Sequence, residues 1–361
     1  MKNACLIFTK GSFENVCLDV PLAFERRGYE FTELRFLKFW DESTVVSLLK
    51  EYQKTQDNLV VIAYGFAPYE LQNAIKKGFK GNFLPATAYG SGILDEGEKT
   101  LFLLGEADCE YADEVCVPHL ENKYGRRIGK IVLRLVGTDG ERLRSVLSQA
   151  KAMCAGRVKL AAEERFGECV LRIFYDDNTP RMLTDDLLRF LTERLGDNLY
   201  AMDDMPLERQ LVTLLKLRRK KIAVAESFTG GGLAKKIVSV SGASEVYEEG
   251  LNTYSEASKM ARLAVTEYTL RSQGAVSEQT AYEMAAGLLQ QGRCDVAIAT
   301  TGLAGPKDDG SGLPIGTCCI AVGIDQNVYV YRYVLQGNRE EITETAIRYA
   351  LFLACKQLKN M

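Results

Sequence analysis

Short apolar runs alternate with helically spaced apolar positions along most of the chain, an order that predicts sheets flanked by helices. Ala4–Thr9 reads as a buried strand, Pro21–Gly28 and Glu42–Gln56 as helices, and Leu59–Tyr64 as another strand. Thr100–Gly105 predicts one more strand before the polar stretch His119–Arg127, which contains Glu121, Asn122 and Lys123 and marks a first boundary. An α/β domain over residues 1–118 is therefore expected. Further on, Ile131–Val136 is strand-like, and Leu143, Val146, Leu147 and Ala150 recur at helical spacing. Strands near Val158–Ala162 and Cys169–Tyr175 precede a helix carrying Leu183, Leu187, Phe190 and Leu191, and Asn198–Ala201 supplies a last strand. The result over residues 128–203 is βαββαβ, a small α+β domain of ferredoxin-like order.

The third region, residues 205–361, opens with a helix over Pro206–Lys220, Pro206 being suited to a first helical turn. Strand Ile222–Glu226, helix Gly230–Val240, extended segment Val246–Tyr254 and helix Ser255–Leu263 follow. Ala281, Met284, Ala285 and Leu288 mark the apolar face of a helix over Ser277–Gln291. Asp295–Thr300, Thr317–Val322 and Val328–Leu335 are strands before a closing helix at Arg339–Leu358. The predicted fold class is thus α/β in three domains, the last of mixed α/β type.

Composition narrows the function. A chain of 361 residues exceeds what a single core serves, and 47% hydrophobic with 26% charged residues is the balance of a folded chain. A formal net charge of -3 supplies no basic footprint for nucleic acid or anionic lipid, so small-molecule work is expected, with no nucleic-acid and no membrane partner. No apolar run approaches the roughly 20 residues of a membrane helix. Met1–Phe8 has no signal-peptide h-region before Lys10, which predicts a cytoplasmic protein. The ten cysteines form no CxxC pair and His119 is the single histidine, so the usual zinc frameworks cannot be assembled. The thiols read as small buried hydrophobes, and neither a metal nor a cofactor is expected.

Two motifs are set aside. Gly92-Ile-Leu-Asp-Glu-Gly97-Glu98-Lys99-Thr100 misses a Walker A loop because Glu98 separates glycine from lysine and a strand, not a helix, follows. Gly137-Thr-Asp-Gly140 has the GXXG form of nucleic-acid-binding KH modules, but a tight turn with an Asp cap accounts for it at a strand-to-helix junction.

Candidate chemistry gathers in the third region. Ala225-Glu-Ser227-Phe-Thr229-Gly230-Gly231-Gly232 turns from a strand into a helix through a corner that exposes a hydroxyl and can stabilise an anion. If Ser227 is a nucleophile, the region offers no histidine as its base. A lysine serves instead where burial lowers its pKa, and Lys259, one turn beyond Tyr254, is the candidate; a solvated surface lysine is the alternative. Thr300-Thr301-Gly302-Leu-Ala-Gly-Pro306, with the loop Lys307–Pro314 after it, forms another glycine corner. Gln336-Gly-Asn-Arg339 presents an arginine suited to phosphate or carboxylate.

Ala225-Glu-Ser-Phe-Thr-Gly-Gly231, Thr253-Tyr-Ser-x-x-x-Lys259, Gly274-Ala-Val-Ser-Glu278, Thr301-Gly-Leu-Ala-Gly-Pro306, Pro314-Ile-Gly-Thr317 and Gly337-Asn-Arg339 resemble, in order and approximate spacing, the C-terminal domain of the CinA (competence/damage-inducible) family. The resemblance implies a molybdopterin-binding-like α/β domain, a KH-like or ferredoxin-like domain, and a C-terminal domain with nicotinamide mononucleotide (NMN) deamidase activity in a homodimer. It places the family's serine, tyrosine, lysine, threonine and arginine on Ser227, Tyr254, Lys259, Thr301 and Arg339. Ser227 would attack the carboxamide, Lys259 would act as base, and Tyr254 would position or polarise the pair. The N–H groups of Thr229, Gly230 and Gly231 would meet the oxyanion, and Thr301, Gly302 and Arg339 would hold the mononucleotide.

The sequence departs from the family at Phe228 for cysteine, Leu303 for isoleucine and Asn338 for aspartate. In the first domain, Phe8-Thr-Lys-Gly-Ser-Phe13 and Ala63-Tyr-Gly-Phe-Ala-Pro-Tyr-Glu70 stand where the family has a Gly-Thr-Glu element and an acidic metal-site loop. An ADP-ribose or dinucleotide pyrophosphatase activity of that domain is the alternative reading. Another makes the first two domains purely structural, serving dimer formation.

Overall fold

The computed structural model of the protein describes residues 1–12, 16, 18–38, 40–80, 82–85, 87–125, 127–307 and 310–360. Phe13 of the first-domain element and Asp308 and Asp309 of the loop after Pro306 lie outside them. The chain divides into two compact units, one of Met1–Lys130, Arg157–Lys159 and Phe174–Thr184, the other of Ile131–Gly156, Leu160–Ile173 and Asp185–Met361.

The first unit holds strands β1 (Asn3–Thr9), β2 (Phe31–Leu37), β3 (Asn58–Tyr64), β4 (Asn82–Pro85), β5 (Gly92–Glu96) and β6 (Lys99–Gly105) in the order β2-β1-β3-β6-β5-β4. The central strands β1, β3 and β6 run parallel and read as unbroken apolar runs because helices cover both faces. On one face α2 (Glu42–Thr55) and α3 (Tyr69–Gly78) pack Leu49, Leu71 and Ile75 against Leu6 and Val61. On the other, α1 (Asp19–Arg26), α4 (Cys109–Tyr111) and α5 (Val117–Tyr124) surround a core in which Phe24 and Leu120 meet Ile7, Ile62 and Phe102.

The polar stretch expected to break the chain at His119 is therefore largely helix. Leu120 is buried, Lys123 reaches Thr100 at 2.6 Å and His119 reaches Asp95 at 2.9 Å, so its polar side chains bind the β5–β6 hairpin. The helix stops at Gly125, which takes φ 58°. The segment resembling a Walker loop is the β5–β6 hairpin itself.

A four-stranded sheet, found chiefly in the second unit, comprises β7 (Ile128–Val136), β8 (Lys159–Arg165), β9 (Glu168–Asp176) and β10 (Leu199–Ala201) in the order β10-β7-β9-β8. With α6 (Gly140–Cys154) and α7 (Arg181–Leu195) it follows the expected βαββαβ course. The Asp139 side chain accepts from Arg142 N at 2.9 Å, so the GXXG segment is a capped helix start.

The site-bearing sheet has strands β11 (Ile222–Glu226), β12 (Tyr247–Asn252), β13 (Val296–Gly302), β14 (Thr317–Ile324) and β15 (Asn327–Val334) in the order β12-β11-β13-β14-β15. β11 lies parallel between β12 and β13, and β14 and β15 complete the sheet antiparallel. α8 (Leu207–Arg218), α9 (Gly232–Val238) and α13 (Arg339–Lys359) cover one face, where Leu211, Leu233 and Leu351 meet Val224, Ile298 and Ile320. α10 (Glu256–Leu263), α11 (Glu267–Gln273) and α12 (Glu278–Gln290) cover the other, packing Leu263, Met284 and Leu288 on a floor of Ala223, Ala225, Ala297 and Ala299. The chain leaves β11 toward one side for β12 and returns on the other as β13. The carboxyl end of β11 is thus a topological switch point, where a crevice opens in sheets of this kind.

α12 approaches the end of α10 so closely that a Cβ on Gly287 would lie 2.0 Å from the Leu263 carbonyl oxygen. Helix propensity favours alanine over glycine by about 1 kcal/mol, whereas overpacking against backbone costs about 1–3 kcal/mol or more. Gly287→Ala is therefore expected to destabilise the protein, read as a lower urea midpoint. A raised midpoint would contradict the close approach.

Candidate active site

The apolar strand β11 ends in Glu226 and delivers Ser227 one residue beyond it. Ser227 N still donates to Thr300 O at 3.0 Å, so the serine keeps the register of the sheet before the chain turns. Gly230 at φ 60° and Gly231 at φ 96° make that turn, and both face open space where a side chain would stand. Thr229 Oγ1 shares a 2.7 Å hydrogen bond with Thr300 Oγ1, which ties the corner to β13. Phe228 packs with Ala304, Cys318, Leu335 and Ile342, so the departure from cysteine is absorbed by a small apolar cluster.

Parallel pairing of β11 with β12 sets Glu226 opposite Asn252, which brings Thr253 and Tyr254 alongside Ser227. Ser255 then caps α10 by accepting from Ser258 N at 3.1 Å, and Lys259 turns back toward the strand ends. Lys259 is 1% exposed. Its Nζ lies 3.0 Å from Ser227 Oγ, 2.8 Å from Thr253 O and 3.3 Å from Tyr254 O. Burial lowers its pKa from 10.5 to about 8, the charge of Glu256 opposing this in part.

All three partners can accept, so as an ammonium Lys259 donates to Thr253 O, Tyr254 O and Ser227 Oγ. On losing a proton it keeps two N–H groups for the carbonyls, and the lone pair falls to the serine hydroxyl, which can then donate. A buried lysine with a lowered pKa, 3.0 Å from a serine hydroxyl, is a candidate nucleophile and base pair.

Two of the three amides expected to meet an oxyanion, those of Gly230 and Gly231, are bonded elsewhere. Gly231 N is bound to the Glu226 carboxylate at 3.0 Å, as are Leu233 N at 3.0 Å and Ala234 N at 2.8 Å. Gly230 N donates to Ser227 O at 3.1 Å. The amides of Gly230 and Gly231 are therefore already engaged within the fold. Among the described residues, no acceptor meets the amides of Phe228 and Thr229.

Tyr254 meets the lysine through its backbone. Its carbonyl, not its phenol, faces Lys259, while the exposed phenol lies 3.5 Å from Arg339 Nη2. Arg339 Nη1 donates to Gly305 O at 2.6 Å, and Asn338 caps α13 in a capping box with Glu341. Thr301 is buried and donates to Ala275 O at 2.6 Å. Ala275 also lines a polar cavity of about 570 Å³ with Gly274, Ser277, Glu278 and Arg332. A Cβ on Gly302 would lie 2.7 Å from Cys318 Cβ and 3.0 Å from the Phe228 ring, so this glycine answers to packing.

Two residues escape the sequence reading. Thr253 has a buried hydroxyl without a partner among the described residues, and Glu226 is a buried carboxylate. The one available signal was a charged residue closing the apolar run Ile-Ala-Val-Ala just before a helix start. Among the described residues, no three His, Cys, Asp or Glu side chains gather to hold a metal ion. Nor is any helix among them long and apolar enough to cross a membrane.

A family model described as the CinA C-terminal domain matches residues 204–358. A protein of Caldicellulosiruptor saccharolyticus named for competence-damage induction is 34% identical over 251 residues, 69% of this chain and 61% of that protein. Its counterpart in Caldicellulosiruptor bescii is 32% identical over 278 residues, 75% of this chain and 67% of the relative. The chain thus spans only about two thirds of the length of these relatives, the two values being 61% and 67%. A crystal structure of a competence-damaged protein (CinA) superfamily member from Klebsiella pneumoniae is 31% identical, with a TM-score of 0.42, covering 43% of this chain and 97% of that one. With its last region matched by the family's own model and its length aligned for three quarters with a relative, the chain belongs to the CinA family.

Proposed function

We propose that residues 205–361 hydrolyse the carboxamide of NMN to nicotinate mononucleotide and ammonia. The observation that carries this reading is the 3.0 Å contact between Ser227 Oγ and the buried Lys259 Nζ. The Ser227 proton passes to the Lys259 lone pair as Oγ bonds to the carboxamide carbon. The oxygen of the tetrahedral intermediate takes the negative charge and is met by the Phe228 and Thr229 amides. Lys259, now an ammonium, gives its proton to the departing nitrogen, and the C–N bond breaks to leave an acyl ester on Ser227. A water then loses a proton to Lys259 and attacks the ester, the C–Oγ bond breaks, and Lys259 returns that proton to Oγ, releasing the acid and restoring the serine hydroxyl and the neutral amine. Arg339, exposed beside the Tyr254 phenol, is the cation offered to the substrate's phosphate.

Ser227→Ala and Lys259→Met are each expected to lower ammonia release from NMN by roughly 10³-fold or more while circular dichroism stays native. Activity within tenfold of the parent in Ser227→Ala would rule out the covalent route. The pH dependence has a definite sign. Lys259 acts as base only when neutral, so kcat should fall as pH drops through about 8 and level off above it. A steady-state profile across pH 6 to 10, as roughly the range that brackets this pKa, tests it; a rate flat through that range would contradict a lysine base.

A further inference from the structure

We propose that Glu226 is the positioning residue for both members of the Ser227–Lys259 pair, a role that rests on the amide hydrolysis proposed above. Glu226 is 1% exposed, at the end of a strand whose other residues are all apolar. A carboxylate taken out of water is costly unless its oxygens are fully engaged, and here three backbone amides engage them. The bonds to Gly231, Leu233 and Ala234 are 3.0, 3.0 and 2.8 Å long. They fasten the far end of the corner that begins at Ser227, and among the described residues no acceptor meets the amides of Phe228 and Thr229.

The backbone of the same residue fixes the base. Glu226 O accepts from Thr253 N at 2.7 Å, and Thr253 O accepts from Lys259 Nζ at 2.8 Å. Ser227 is thus held through its peptide bond to Glu226, and Lys259 through one intervening residue. The seated carboxylate also sets the direction of the substrate. A phosphate brought to the Gly231–Ala234 amides would meet a negative charge already bound there, so the phosphate end is steered away from α9 and toward Arg339.

Glu226→Gln keeps the shape but turns an NH2 group toward amide donors, and Glu226→Ala removes the clamp. Steady-state kinetics on NMN, thermal melting and the labelling rate of Ser227 by a fluorophosphonate probe separate the possibilities. In Glu226→Gln we expect kcat to fall about 100-fold with KM within about threefold, as for a misplaced reacting group. The melting temperature should stay native and the labelling rate should fall in step with kcat. A kcat within threefold of the parent would overturn the proposal, and so would a collapse of folding in both variants, which would assign Glu226 to folding alone. If the parent releases no ammonia from NMN, the deamidase reading fails, while labelling still decides the role of Glu226: slowed labelling supports it, and unchanged labelling overturns it.

Discussion

A lysine amine held out of water is the constraint around which the last region is arranged. The groups that touch Lys259 Nζ are two carbonyls and a hydroxyl, acceptors that serve an ammonium and, after loss of one proton, an amine whose lone pair faces the hydroxyl. The lowering of its pKa to about 8 follows from the same burial, against the opposing charge of Glu256.

The fold meets this constraint with a strand order. Placing β11 between β12 and β13 opens the sheet at its carboxyl end, and the parallel register sets Thr253 beside Ser227. The alanine floor beneath α12 and the bare Gly287 against Leu263 O let the helices close down on the side from which Lys259 enters. Glu226 then uses its carboxylate for the corner and its carbonyl for Thr253. Packing, register and one buried charge thus act on the same few atoms.

Much of this was legible in the sequence where periodicity was strong. β11 carries the predicted boundaries, and the helices at Glu42, Glu278 and Arg339 begin within a residue of theirs, because apolar spacing and caps agree there. β2 was missed because it is an edge strand whose exposed Glu33, Leu34 and Arg35 show no buried alternation. α5 was hidden because its polar residues bind a hairpin distant in sequence. Ser227 and Lys259 were each legible, but their contact spans 32 residues and depends on strand register. Tyr254 was legible by its spacing from Lys259, but the atom that meets the lysine was not, since spacing does not tell which way the backbone carbonyl points at a strand-to-helix junction. Glu226 left almost no trace, because backbone amides, its partners, have no sequence signature.

Family membership fits this picture but does not reach the chemistry: the relatives are named for competence and damage induction, and the chain spans about two thirds of their length, 61% and 67% for the two described. The account stands on the protonation state of one side chain. Titration of the Lys259 amine by NMR, with Lys259→Arg to assign its signal, measures that state directly. A midpoint near pH 8 is predicted, and a midpoint at 10.5 or above, the range of a solvated lysine, would contradict it.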